Sequence, residues 1–244
     1  MRTSQFSLLF AFANALILSG CAIKTPYTNI AQWQAAKRAM YYRDAVPHRL
    51  GVAPLTDARP LEEQRGKRPA GTFLLLWNRR VGDYYTGDHV FGGNVASQLT
   101  NELQQYLKSS HAFAEVISVS APPGLHADAM SRLGQQEVVD YVLTGELQHF
   151  FGSQSQHTSI FLLPLYFISA FGWQDSKGLP WGRTAIQFAL YDGQTGDMVW
   201  RRVIESDDTM PKDSDPMTEP ALEAFADVAS QLVADLRKLP ADAP

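Results

Sequence analysis

Apolar side chains recur along this chain in two periods, and the change from one period to the other outlines its elements. Val95, Leu99, Leu103, Tyr106 and Leu107 share one face of a helix over residues 93–108, with Gln98, Asn101, Glu102 and Gln105 on the opposite, polar face. Leu222, Phe225, Ala229, Leu232, Val233 and Leu236 repeat at the same spacing near the C-terminus and predict a second long helix. Residues 49–55 read as a short strand entering a loop, and 111–119 as another strand. The stretch 140–150 alternates like a half-buried strand. Residues 184–191 and 198–204 form a hairpin across the glycine-bearing turn Asp192-Gly193-Gln194-Thr195-Gly196-Asp197. Helical spacing is also present over 31–44, with Trp33, Ala36, Met40 and Tyr41, and more briefly over 127–133. Residues 72–77, Thr-Phe-Leu-Leu-Leu-Trp, fit a buried strand or an apolar loop segment equally. The order of elements predicts an α+β fold, an α/β sandwich, with a mixed sheet of about five strands covered by two long helices.

The first twenty residues follow a different logic. Arg2 precedes an apolar run, residues 7–18, too short for a spanning helix, and the run closes on Leu18-Ser19-Gly20-Cys21. That quartet resembles the bacterial lipobox, which implies a signal peptide over 1–20 and a Cys21 whose sulfur carries lipid. The alternative is an ordinary small residue after a generic leader. Cys21 is the sole cysteine, so it has no partner for an intramolecular disulfide. Acyl chains contribute about 0.8 kcal/mol per buried methylene, enough for several chains to hold a protein at a bilayer. Ala22 follows, where the Gram-negative sorting rule reads aspartate as retention in the inner membrane; the resemblance therefore implies an outer-membrane anchor facing the periplasm. The remaining chain carries 20 basic against 25 acidic side chains, without the clustered basic surface that nucleic acid requires. It divides into a tether with a short helix (21–47), one domain (48–238) and a tail (239–244).

Five segments of that domain carry a broader resemblance. They are Gly51-Val52-Ala53-Pro54-Leu55; Leu103-Gln104-Gln105-Tyr106-Leu107; Phe113-Ala114-Glu115-Val116; Asp140-Tyr141-Val142-Leu143-Thr144-Gly145; and the run from Leu190 to Trp200. Together they resemble envelope lipoproteins whose domain is similar to the N-terminal domain of TolB, the periplasmic domain of CsgG, and LpoB. The resemblance implies a fold and an envelope assembly or binding role; it brings no catalytic or ligand-binding residue with it.

Within 152–182 the chain departs from that pattern. Residues 159–173 hold no charge and include Ile160, Phe161, Leu162, Leu163, Leu165, Tyr166, Phe167, Phe171 and Trp173. Pro164 and the short length speak against a spanning helix. The run fits burial against the sheet, an exposed patch docking on a partner or a bilayer surface, or an inserted hairpin like that of CsgG. The last is disfavoured because 160–167 does not alternate.

No G-x-S-x-G, H-E-x-x-H, C-x-x-C or phosphate-loop pattern occurs. The six histidines, among them His149 and His157 near the end of a strand, lack ligand spacing, and no metal or cofactor is expected. Asp83 and Asp88 read as a solvated loop before the long helix, with Asp88 or Asn94 near its N-terminus, and Asp57 with Arg59 as a local pair. The expectation is a non-enzymatic lipoprotein that binds an envelope protein partner or associates with itself. An oligomeric component of a secretion or transport assembly is the alternative.

Overall fold

The computed structural model describes residues 29–67, 70–74, 77–120, 127–161, 172–209 and 218–238. Five strands make the body of one mixed sheet: β1 (Val46–Val52), β5 (Phe113–Ser118), β6 (Tyr141–Phe161), β8 (Trp181–Asp192) and β9 (Met198–Thr209). Their order is β5-β1-β6-β8-β9, with β1 parallel to β5 and β6 and the remaining pairs antiparallel, and the two-residue β2 (Thr56–Asp57) pairs with β6 in parallel. Helix α4 (Val95–Ser110) and helix α6 (Glu219–Leu236) cover one face. The fold class is the expected α+β sandwich.

Both long helices arise where their periodicity places them. Asn94 caps α4 by accepting from the Ser97 amide at 2.9 Å, satisfying one of the donors a helix start leaves open. Leu99, Leu103 and Leu107 from α4 meet Phe225, Leu232 and Leu236 from α6 over Leu50, Leu143 and Ile186 of the sheet. Full burial of each such side chain contributes roughly 1.5–3 kcal/mol, so this layer is the main source of stability. A smaller cluster on the opposite face joins Ala53, Val119, Val139 and Val142 to Leu133 of α5 (Ala127–Glu137). There Gly134 lies so close to Gly193 that an added Cβ would sit 2.1 Å from the Gly193 carbonyl oxygen. The β8–β9 turn forms as expected: the Asp192 carboxylate accepts from the Gln194 and Thr195 amides, and Gly196 takes φ +79°.

Four local readings change. Helical spacing over 31–44 yields one α-turn, α1 (Ile30–Trp33), and a 3₁₀ turn (Ala35–Arg38), broken by Gln34 at φ 58°. Glu102, on the polar face of α4 by spacing, is 1% exposed because these two turns lie over it. Around the stretch left open in sequence at 72–77, β3 (Ala70–Leu74) pairs antiparallel with β4 (Trp77–Tyr85), so Asp83 is a strand residue rather than part of a loop. Asp88 opens the one-turn α3 (Asp88–Phe91). Finally, β6 does not stop near Phe150 but runs on to Phe161, and β7 (Gly172–Lys177) pairs with its far half. Periodicity missed the β3–β4 pairing and the extension of β6 because a neighbouring strand, absent from any local window, supplies the pairing.

Candidate functional site

Three features stand out. The first is how the chain enters the domain. Ile30 and Ala35 are fully buried, and the Ala35 amide donates to the Glu102 carboxylate at 2.8 Å. Burial holds the Glu102 carboxyl above the usual range, and the Ala35 amide offsets this in part. Trp33 packs edge-on against Phe225, and Arg38 stacks over Trp33 while pairing with Glu223. The chain from Ile30 to Arg38 is therefore locked to both long helices. Cys21 itself lies outside the described residues.

The second feature is an ionic cluster at the end of β1. The pair of Asp57 and Arg59 forms as expected, with Nε at 2.9 Å and Nη2 at 2.7 Å from the carboxylate. Asp88 joins at 2.9 Å, and the Arg59 side chain is 1% exposed. Burial tends to raise Asp57, but the hydrogen bond and charge of Arg59 outweigh it and the carboxyl lies below its usual value. For Asp88 burial prevails and the carboxyl lies above it. Nearby, Glu63 of the short α2 (Leu61–Arg65) meets His149 Nδ1 at 2.7 Å. A buried guanidinium held by two carboxylates ties the β1 exit and α3 to β6, which is a structural task. Among the described residues no three His, Cys, Asp or Glu side chains gather as a metal site would require.

The third feature is the far half of β6. Beyond Ser153 it leaves the body of the sheet flanked by β4 on one side and β7 on the other, with β3 outside β4. These four strands form an arm. Pairing register places Leu74, Trp77, Phe161 and Gly172 in its last row among the described residues, and Phe73, Asn78, Ile160 and Trp173 in the row before. Polar residues follow at once: Thr72, Arg79, Ser159 and Gln174, then Gly71, Arg80, Thr158 and Asp175.

Of the residues expected at a docking site, Ile160 and Phe161 thus end β6 and Trp173 stands in β7. Leu162, Leu163, Leu165, Tyr166, Phe167 and Phe171 lie outside the described residues. Missing from the sequence reading was the partner hairpin: Phe73, Leu74 and Trp77 arrive from some eighty residues earlier in the chain. Their signal was the apolar run over 72–77, which by itself has no direction. No helix among the described residues is long and apolar enough to cross a membrane.

No protein-family model matches the chain, and no curated protein is significantly similar to it. Among solved structures, a Xanthomonas campestris protein is 14% identical over 82% of this chain and 87% of its own, with a TM-score of 0.43. A lipoprotein of Neisseria meningitidis is 11% identical, covering 78% and 98%, with a TM-score of 0.35. The C-terminal domain of LpoB from Salmonella enterica is 12% identical, covering 72% and 93%, with a TM-score of 0.31. Bacterial lipoproteins are thus among the folds this chain is similar to. The likeness is loose, and no residue role or activity passes from them.

Proposed function

We propose that this chain is a lipoprotein of the bacterial envelope, anchored by Cys21 to the outer membrane, facing the periplasm, and acting by binding a protein partner rather than by catalysis. The observation that carries the reading is the coupling of anchor to domain. Seven residues separate Cys21 from Asn29, and directly after Asn29 the chain is buried against α4 and α6. A flexible leash would let the domain diffuse; a short connection ending in a buried latch holds it at a surface. Such a construction suits a protein whose contribution is position.

The experiment is labelling and fractionation in a Gram-negative host. Wild type is expected to incorporate palmitate and sediment with outer membrane, whereas Cys21→Ser takes up no label and leaves that fraction. Wild type in the soluble periplasm would overturn the anchor. Photo-crosslinking in intact cells should capture a discrete adduct with another envelope protein; wild-type function from unanchored Cys21→Ser would overturn the positional role.

A second reading, an oligomeric component of a secretion or transport assembly, is favoured by β9. Among the described residues this twelve-residue strand pairs on one side only, and Val199 and Val203 are exposed on it. An open strand edge is a template for a second chain. Native mass spectrometry of the lipid-free chain separates the two readings, since a stable ring favours the assembly and a monomer the adaptor.

A further inference from the structure

We infer that β9 pairs antiparallel with the β9 of a second copy of this chain, about a two-fold axis through Val203, so that two sheets become one; the inference deepens the assembly reading above and rests on the same open edge. Three observations carry it.

The first is that the edge is fit to pair. β9 is twelve residues long and contains neither proline nor lysine, the residues by which exposed edges are commonly kept from pairing. Its irregularity against β8 falls at Leu190 and Tyr191, which leaves 200–206 regular. Among the described residues β9 pairs with β8 alone, and Val203 is exposed on it. The strand at the other margin, β5, is six residues long, and its one charged side chain, Glu115, is already taken by Arg49.

The second is the arrangement of charge. Even-numbered residues face the helices: Ile204 is buried, Arg202 pairs with Asp235, and Ser206 donates to Asp227. Arg201, Val203, Glu205 and Asp207 line the other face, beside Ala189, Gln187, Ala185 and Arg183 of β8. Arg183 there serves both Glu205, at 2.7 Å, and Asp207, at 3.6 Å. Arg201, beside Ala189, has no carboxylate partner among the described residues. In an antiparallel pair directly opposite side chains share a face, so a two-fold axis passes through a residue and never between two. Through Arg201, Arg202 or Glu205 it would set a charge against its own copy. Through Ile204 it would set the exposed Val203 against Glu205. Through Val203 it places valine on valine and Arg201 of each copy opposite Glu205 of the other, with Asp207 on the diagonal. The two carboxylates that share one arginine within a chain then gain a second from its copy.

The third is that the helices leave room. α6 lies over both β8 and β9. Pairing two β9 strands therefore sets the two copies of α6 two strand spacings apart, about 10 Å, the distance at which helices pack side by side. Over 200–206 the seam gains about six to eight backbone hydrogen bonds and a small area, so the dimer is weak. Such a contact closes at two copies, and anything larger needs another surface.

The test uses the full chain carrying Cys21→Ser, which bears no lipid and no other cysteine. Sedimentation equilibrium over a dilution series is expected to show monomer and dimer in exchange. Arg201→Glu and Glu205→Arg each set like charges opposite and should weaken the dimer roughly tenfold or more, whereas an equimolar mixture of the two should recover it, because each mixed pair again joins opposite signs. That recovery also shows both variants folded. Val203→Cys should form a disulfide-linked dimer on mild oxidation, while Val199→Cys, roughly 27 Å from its copy, should not. A chain that stays monomeric throughout overturns the inference and the assembly reading together. A ring indifferent to both charge reversals and without the Val203→Cys crosslink overturns the inference and leaves the assembly reading standing; a dimer with that behaviour overturns the inference as well. A dimer crosslinked through Val203→Cys with no larger species upholds the inference and removes the ring.

Discussion

Replacing Glu102 tests whether the entry of the chain is a structural latch. The carboxylate is 1% exposed and accepts the Ala35 amide at 2.8 Å, and Ala35 is fully buried. In Glu102→Ala that amide is left buried without a partner, a loss of about 1–3 kcal/mol. For a domain of this size 2 kcal/mol lowers Tm by about 4–8 °C and the urea midpoint by about 1 M. Glu102→Gln keeps an acceptor and removes the charge, so it should unfold within a few tenths of a molar of wild type. The pH dependence has a definite sign. Burial raises the folded-state pKa of Glu102 above its ordinary 4.5, so the native state binds the proton more tightly than the unfolded chain. Its contribution is complete below 4.5 and is lost as pH rises through the folded value; subtracting the Glu102→Gln curve from wild type should show that decline. Urea titrations of the Cys21→Ser chain from pH 4 to 8, with amide exchange at Ala35, measure all of this. A Glu102→Ala midpoint equal to wild type with Ala35 still protected refutes the latch, as does Glu102→Gln unfolding as early as the alanine variant.

Three further outcomes follow from other parts of the fold. Asp57 shifts in the opposite direction, so its contribution is present above 3.8 and lost as pH falls through its lower folded value; Asp57→Asn should flatten the acid limb of the stability curve, read as urea midpoints at pH 3 and 5. Arg59→Ala leaves Asp57 and Asp88 without their shared cation and should lower stability by about 2–4 kcal/mol by chemical denaturation; an unchanged midpoint would remove the structural role assigned to the cluster. At Gly182 an added Cβ would sit 2.2 Å from the Ala221 amide nitrogen, backbone of α6 that cannot swing aside. Gly182→Ala should thus be destabilised by about 2–3 kcal/mol or more in thermal unfolding, while the open Gly93, with nothing within 4 Å, takes φ +112° and Gly93→Ala registers backbone strain alone.

What was legible in the sequence was whatever a single element decides with its own residues. The cap at Asn94, the apolar stripes of α4 and α6, the turn at Asp192 and the Asp57–Arg59 pair each depend on groups a few positions apart, and each forms as read. Glu102 shows where that ends: spacing put it on a solvated face, and a segment sixty-seven residues earlier covers it. Gln34 likewise breaks a helical pattern that local propensity would have continued.

The arm shows the same division at larger scale. Sequence by itself determined that 72–77 and 159–173 are apolar and that neither would cross a membrane as a helix. Only the tertiary structure decided that they meet, because β4 and β6 must pair over nine residues for Trp77 to fall opposite Phe161. Strand pairing is satisfied by backbone groups that every residue carries, so composition says little about which strand partners which.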